Sequence, residues 1–105
     1  MVDIDVERFA INLGYSYLNG GYGKWEDGSG KVYELNSMPA NYLKNCSNFV
    51  LKGIEEIESG NIDKEIAEKI KDEYSEIDFS NEDINDIKNS IIDILKSKKD
   101  EIDEV

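Results

Sequence analysis

An aromatic and cationic set of side chains early in the chain has the residue types that bind planar ligands or partner proteins. Tyrosine and tryptophan offer large contact areas at little cost in side-chain entropy, and they are enriched at binding hot spots. Glycines beside Tyr22 and close to Trp25 predict that these two rings lie near a loop tip. Basic groups in the same region could pair with phosphate oxygens. The candidate binding residues are Tyr22, Lys24, Trp25, Tyr33 and Arg8.

The sequence lacks the residues of the common catalytic systems. It has no histidine, which removes the Ser–His and Cys–His nucleophile systems and most zinc sites. Cys46 lies between apolar positions and is interpreted as a small core residue. The glycine-rich stretch is no phosphate loop, because Val32 follows Gly30-Lys31, and Glu26 stands where a dinucleotide-binding pattern needs glycine. We therefore expect a non-enzymatic protein with no catalytic residue, no metal site and no cofactor.

The charge of the chain is strongly negative and unevenly distributed. Twenty-four acidic residues face twelve basic ones, so the net charge is −12, with −3 in residues 1–40 and −9 in residues 41–105. Such a surface repels a phosphate backbone, which disfavours direct nucleic-acid binding. It suits a partner protein with a basic surface. A solvated acidic surface with no partner is the simpler interpretation.

Size and cysteine content predict one cytoplasmic domain. A chain of 105 residues corresponds to a single domain, 1–105, and its small size leaves a homo-oligomer open. One cysteine allows no intrachain disulfide, which fits a reducing compartment. The N-terminus is acidic, so no signal peptide is expected, and no apolar run has the length of a membrane span.

Two periods compete between Arg8 and Leu18. Alternation of apolar residues predicts a half-buried strand, whereas another apolar set at spacings of three and four fits a helical face. Asn12, Gly14 and Ser16 are poor helix formers, so we favour a strand for the second half of this stretch. The strand pattern consists of Phe9, Ile11, Leu13, Tyr15 and Tyr17, and the helical face of Val2, Val6, Phe9, Leu13 and Tyr17.

A hairpin and a long helix are predicted next. Asn19-Gly20-Gly21 indicates a turn, and Lys24–Glu26 and Lys31–Leu35 can form two strands joined by Asp27–Gly30. Most of the early aromatic residues would then form the core between this sheet and the first long helix. Ser37 is the predicted cap of that helix and Pro39 suits its first turn. The helix has an apolar face that includes Tyr42, Leu43, Cys46, Phe49, Val50, Ile54 and Ile57, and it ends at Ser59-Gly60.

Two further helices complete the predicted α+β fold, a small N-terminal antiparallel sheet or hairpin followed by about three amphipathic helices. Asn61 is the predicted cap of the second helix, and Ser80 with Asp83 resembles a capping box for the third. We expect Ile77 and Phe79 to attach the connection between them to the core. Lys98 interrupts the apolar face of the last helix, and residues 96–105 are predicted to fray.

A sequence pattern adds a resemblance. Trp25-x-Asp27-Gly28 is followed by a short strand and then by Met38-x-x-x-Tyr42-Leu43-x-Asn45. This arrangement resembles small uncharacterised phage and prophage proteins with Trp, a glycine-containing turn, and Met-x-x-x-His/Tyr-Leu-x-Asn. Here the variable position is Tyr42, Ser29-Gly30 lengthens the turn, and the similarity covers about a fifth of the chain. The resemblance implies a phage-related origin and no defined activity.

Three function hypotheses follow, in this order. The first is a non-enzymatic acidic interaction protein, phage-encoded as the resemblance implies, that inhibits a host protein such as a nucleic-acid-binding anti-phage defence enzyme. The second is a small-ligand protein whose aromatic residues stack on a nucleotide-type molecule to bind or sequester it. The third is an enzyme that uses carboxylates alone. It is ranked last, because pairs of acidic residues are inevitable at this composition and therefore carry little information.

Overall fold

The computed structural model describes residues 4–105 as an α+β fold, which confirms the predicted class. A two-stranded antiparallel sheet lies near the N-terminus, and three α-helices follow it. The α-helices are α1 Val6–Leu13, α2 Ala40–Glu58, α3 Asp63–Glu73 and α4 Asn81–Asp103, the strands are β1 Lys24–Glu26 and β2 Val32–Glu34, and two 3₁₀ helices span Ser16–Gly20 and Leu35–Ser37.

The strand predicted for the second half of residues 8–18 is wrong, because this stretch is helical. The Asp5 carboxylate accepts a hydrogen bond from the Arg8 backbone N–H at 3.1 Å, which caps α1. Gly14 ends α1 with φ at +134°, a conformation that other residues rarely adopt. Tyr15 and Tyr17 then reach the core from the turn and the first 3₁₀ helix. The strand-like alternation therefore combines apolar side chains of α1 with two tyrosines from the turn and the 3₁₀ helix that follow it.

The predicted hairpin is confirmed. Trp25 lies opposite Tyr33 in the antiparallel register, and Lys24 lies opposite Glu34. One oxygen of Asp27 closes the connecting turn, since it accepts hydrogen bonds from the backbone N–H groups of Ser29 and Lys31 and from the Ser29 hydroxyl. This side-chain mimic of a turn is the reason that aspartate favours such positions.

The long helices α2 and α4 form the centre of the core. The apolar spacing predicted for α2 holds over most of its length, with Cys46, Val50, Ile54 and Ile57 buried. The N-terminal half of α2 meets the C-terminal end of α4, where the Ser47 hydroxyl donates a 2.8 Å hydrogen bond to the Asp103 carboxylate. None of the helices within residues 4–105 combines the length and apolar content that crossing a membrane requires.

One of the three predicted helix N-caps is present in the structure. Ser80 and Asp83 form the predicted capping box, with both reciprocal hydrogen bonds at 3.1 Å. Ser37 does not cap α2, because its hydroxyl donates to the carbonyl of Glu34 within the preceding 3₁₀ helix, and Pro39 occupies the cap position. Asn61 does not cap α3, since Ile62 is the residue before the helix.

The connection between α3 and α4 is only partly attached to the core. Phe79 packs edge-on against Tyr74, with ring centroids 6.1 Å apart, as expected. Ile77 remains 40% exposed, so its predicted contribution to the core is wrong. The turn at Tyr74–Ile77 directs the Ile77 side chain outward.

The C-terminal helix does not fray where the sequence predicted it to. α4 continues to Asp103, and Lys98 and Ile102 are buried within residues 96–105. The Lys98 ammonium donates hydrogen bonds to the carbonyl oxygens of Gly21 and Lys24, at 2.9 and 3.0 Å. Lys98, which interrupts the apolar periodicity of the last helix, therefore attaches the end of α4 to the hairpin.

Candidate functional site

A groove of about 630 Å³ lies between the hairpin and the N-terminal half of α2. Its volume falls within the range of about 300–1,000 Å³ that is typical of ligand pockets. Aromatic residues from three segments of the chain line it: Tyr17 from the first 3₁₀ helix, Trp25 and Tyr33 from the hairpin, and Tyr42 and Phe49 from α2. Further lining residues are Gly14, Ser16, Glu26, Asp27, Gly28, Ser37, Met38, Pro39, Asn45 and Cys46.

Secondary structure explains why these rings face one another. Trp25 and Tyr33 are direct cross-strand partners, and such partners lie on the same face of a sheet. Tyr42 and Phe49 are seven residues apart in α2, close to two full turns, so they project from one side of the helix. One wall of the groove is therefore formed by the hairpin and the other by α2.

Stacked rings form the floor of the groove. The rings of Tyr17 and Trp25 are nearly parallel, with an interplanar angle of 11° and centroids 4.6 Å apart. Phe49 meets both rings edge-on, at 5.7 Å from Tyr17 and 6.3 Å from Trp25. Both arrangements are favoured geometries for aromatic pairs. The floor is consequently a packed surface, with Trp25 only 9% exposed.

The rim on the α2 side leaves apolar surface open to solvent. Phe49 is 61% exposed and Tyr42 is 58% exposed, although both were predicted to belong to the buried face of this helix. That prediction is wrong because these two rings lie at the open groove, where Phe49 contacts Trp25 and Tyr17 only edge-on. Clustered exposed rings of this kind are typical of interaction surfaces.

Negative charge lies at the hairpin side of the groove. Glu26 and Asp27 contribute carboxylates, and no lysine or arginine is found among the lining residues that the structure describes. A hydrogen bond from the Ser29 hydroxyl, aided by backbone N–H groups, lowers the pKa of Asp27 below its ordinary value. Asp27 is therefore ionised at neutral pH. The Lys31 ammonium lies 5.0 Å from the centroid of the Tyr33 ring, although Lys31 itself does not line the groove.

The five candidate binding residues are not assembled in one place. Trp25 and Tyr33 line the groove, but Trp25 is buried rather than displayed at a loop tip. Tyr22 is 83% exposed and lies outside the groove. Lys24 and Arg8 are exposed and do not line it either.

Sequence reasoning missed the α2 side of the groove and its carboxylates. Tyr42 and Phe49 fit the apolar periodicity of α2, so nothing in their spacing separated them from core residues. Glu26 and Asp27 were two among 24 acidic residues. The predicted hairpin could have indicated the site, since a sheet of two strands covers only part of a helix as long as α2.

Cys46 lies at the base of the groove and is buried, in agreement with its interpretation as a core residue. Burial raises the pKa of the Cys46 thiol, which keeps it protonated at neutral pH. Within residues 4–105, no three or more aspartate, glutamate or cysteine residues are grouped so that they could hold a metal ion.

Most of the net charge of the molecule is carried by residues that do not line the groove. Residues 55–86 contain thirteen acidic and three basic residues, a net charge of −10 out of −12. They form the end of α2, all of α3 and the start of α4, whereas the hairpin contacts the opposite end of α4 through Lys98. The two regions adjoin, because Glu56 and Glu65 line a smaller cavity together with the groove residues Gly14 and Phe49.

The chain was compared with known proteins at three levels. No protein-family model matches it. No curated protein and no solved structure gives a significant match either.

Proposed function

We propose that this protein is a non-enzymatic interaction protein whose partner is a protein with a basic surface. The observation that carries the proposal is the groove, in which exposed rings of Tyr42 and Phe49 face carboxylates of Glu26 and Asp27. Aromatic residues at the centre and charged residues at the edge are the usual arrangement of a protein interface. A basic partner would offer the complementary charge.

The acidic surface of residues 55–86 supports the same partner class. A net charge of −10 on one segment of a small protein attracts a cationic protein over a distance of about 8 Å at physiological salt. Such attraction mainly accelerates association, while the apolar groove supplies contact area. The two regions therefore have different roles in the proposed complex.

A narrower form of the proposal concerns the partner itself. Nucleic-acid-binding proteins carry basic surfaces, and an acidic protein can occupy such a surface in place of phosphate groups. Together with the resemblance to phage proteins, this supports an inhibitor of a host nucleic-acid-binding protein, such as a defence enzyme, that acts in the cytoplasm. Direct binding of this chain to nucleic acid is not part of the proposal, because its own charge opposes it.

The small-ligand hypothesis receives less support from the groove. Rings of Trp25 and Tyr33 could stack on a nucleobase, but the carboxylates of Glu26 and Asp27 would repel the phosphates of a nucleotide. A thermal-shift titration with nucleotides separates the two functions, because a ligand of the folded state raises the melting temperature by mass action. The proposed function predicts no shift.

Affinity capture from a bacterial lysate, followed by mass spectrometry, tests the proposal. We expect a basic protein that elutes as salt is raised, because screening weakens attraction between exposed charges. The Tyr42→Ala variant should recover less of it. Leu51→Ala is the matched control, since Leu51 is an exposed apolar residue of α2 that does not line the groove.

The proposal would be contradicted by capture that is indifferent to both salt and the Tyr42 substitution. Addition of double-stranded DNA to the lysate tests the narrower form. DNA should displace the captured protein if its basic surface is a nucleic-acid site, and unchanged capture would rule that form out.

A further inference from the structure

We infer that the group recognised in the groove is the guanidinium of an arginine side chain on the partner. This inference rests on the proposed function and adds the chemistry of its central contact. A guanidinium is planar, always charged and weakly hydrated, so it stacks on aromatic faces and pairs with carboxylates at the same time. The groove offers both kinds of group within one cavity.

Rings are the first requirement, and the groove walls supply them. Tyr33 is half-buried on the hairpin wall, and Tyr42 is exposed on the opposite wall. Trp25, the cross-strand partner of Tyr33, also lines the groove and has Tyr17 stacked on it. A flat cation that enters from solvent therefore meets ring surface on more than one side, which strengthens a cation–π contact by removing water from it.

Carboxylates are the second requirement, and two lie at fixed positions beside the rings. The Glu26 carboxylate accepts a 3.1 Å hydrogen bond from the Asn19 side chain, which holds it in place. Asp27 is held by its turn, where one carboxylate oxygen accepts three hydrogen bonds. Glu26 is the last residue of β1 and Asp27 is the first residue of the turn, so their negative charges add at one edge of the groove.

Lys31 of the chain itself already makes a cation–π contact with one of these rings, Tyr33. The Lys31 ammonium lies 5.0 Å from the centroid of the Tyr33 ring, within the distance at which a cation is attracted to a ring face. Lys31 is exposed and does not line the groove. A guanidinium that stacks on Tyr33 from the groove therefore shares the ring's attraction with Lys31, and the two like charges oppose each other.

Titration with short peptides tests the inference without knowledge of the partner. Three acetylated and amidated Gly-Ser peptides would differ at one central residue, which is arginine, lysine or citrulline. Citrulline keeps the planar shape and removes the charge. The single tryptophan provides an indole N–H resonance at the groove floor, so NMR shift changes of Trp25 report occupancy directly.

We expect the arginine peptide to bind about tenfold more tightly than the citrulline peptide, the ratio of one well-formed cation–π contact or ion pair. The lysine peptide should fall between them. Glu26→Gln should weaken the arginine peptide, whereas Glu34→Gln, on the same hairpin and outside the groove, should act only through net charge.

Substitutions of lysine provide an independent test, because they should tighten peptide binding where Glu26→Gln weakens it. Lys31→Ala should tighten binding of the arginine peptide because it removes the competing cation. Lys24→Ala removes the same charge from the same hairpin without freeing a ring, so it should tighten binding less.

Equal affinity for arginine and citrulline peptides, or absence of groove shifts with either, would overturn the inference. So would equal effects of Lys31→Ala and Lys24→Ala. If lysate capture still depends on Tyr42 in that case, the proposed function stands and only the inferred recognition of arginine is wrong. If capture is also indifferent to Tyr42, both fail.

Discussion

The ammonium of Lys98 lies 2.9 Å from the carboxylate of Glu101, and both side chains are largely buried. The same carboxylate accepts a 2.8 Å hydrogen bond from the backbone N–H of Gly23. Lys98 in turn donates to the carbonyl oxygens of Gly21 and Lys24. One ion pair thus holds the hairpin, and with it one wall of the groove, to the end of α4.

Replacement of Lys98 should be strongly destabilising. Lys98→Met leaves the Glu101 carboxylate and two backbone carbonyls without their buried donor, which we expect to cost about 3–5 kcal/mol in the free energy of unfolding. Urea denaturation followed by circular dichroism measures this loss. Lys96→Met is the control, because Lys96 is exposed in the same helix and its replacement should change stability by less than about 0.5 kcal/mol. Similar stability of the two variants would contradict the role given to Lys98.

Two substitutions of Tyr17 should act in opposite directions. Its hydroxyl is buried and has no hydrogen-bond partner among the described residues. Tyr17→Phe removes this unsatisfied group and keeps the stacked ring, so it should leave stability unchanged or raise it by about 1 kcal/mol. Tyr17→Ala removes the ring from the core and should cost about 3–5 kcal/mol. A clear loss of stability in Tyr17→Phe, measured by thermal unfolding, would show that the hydroxyl does have a partner.

Alkaline pH should destabilise the fold through Tyr15. Burial raises the pKa of Tyr15 to about 12, with smaller contributions from the nearby charges of Glu56 and Glu65. The unfolded chain, whose tyrosine pKa is about 10, then loses the proton first, so stability is complete below pH 10 and falls as the pH rises towards 12. Tyr15→Phe should reduce this fall. Equal slopes of stability against pH in the parent and the variant would argue against a buried Tyr15 hydroxyl.

Gly53 should not tolerate alanine, although alanine is normally the better helix former. A Cβ atom at this position of α2 would lie 2.9 Å from the Tyr15 ring. We expect Gly53→Ala to cost about 1–3 kcal/mol, as overpacking of a core does, rather than to stabilise the helix by about 1 kcal/mol. Asn48→Ala is the comparison at an exposed position of the same helix, where only helix propensity acts. Stabilisation in both variants would contradict the close contact between α2 and Tyr15.

Much of the fold could be predicted locally. Apolar residues at spacings of three and four predicted α2, α3 and α4, because a helix buries one face whatever its neighbours are. Ser80 and Asp83 predicted a capping box, since both hydrogen bonds join residues three apart. The hairpin followed from the turn residues between β1 and β2. In each case the deciding interactions lie within a few residues of one another.

The site could be predicted only in part. Trp25 and Tyr33 were identified from residue type and they do line the groove. Tyr42 and Phe49 were assigned to the core, because periodicity describes which residues share a helix face and not what covers that face. The extent of coverage depends on where the hairpin stops along α2, which is a property of the packed chain.

What the sequence by itself determined is the set of amphipathic elements, the acidic charge and the absence of histidine chemistry, since these depend on composition and short-range spacing. The tertiary structure alone decided how Tyr15 and Tyr17 reach the core, from a turn and a 3₁₀ helix where the sequence favoured a strand. It also decided the burial of Lys98, whose carbonyl partners are 77 and 74 residues away in sequence. The groove likewise depends on the tertiary structure, because its rings come from three separate segments that meet only after folding.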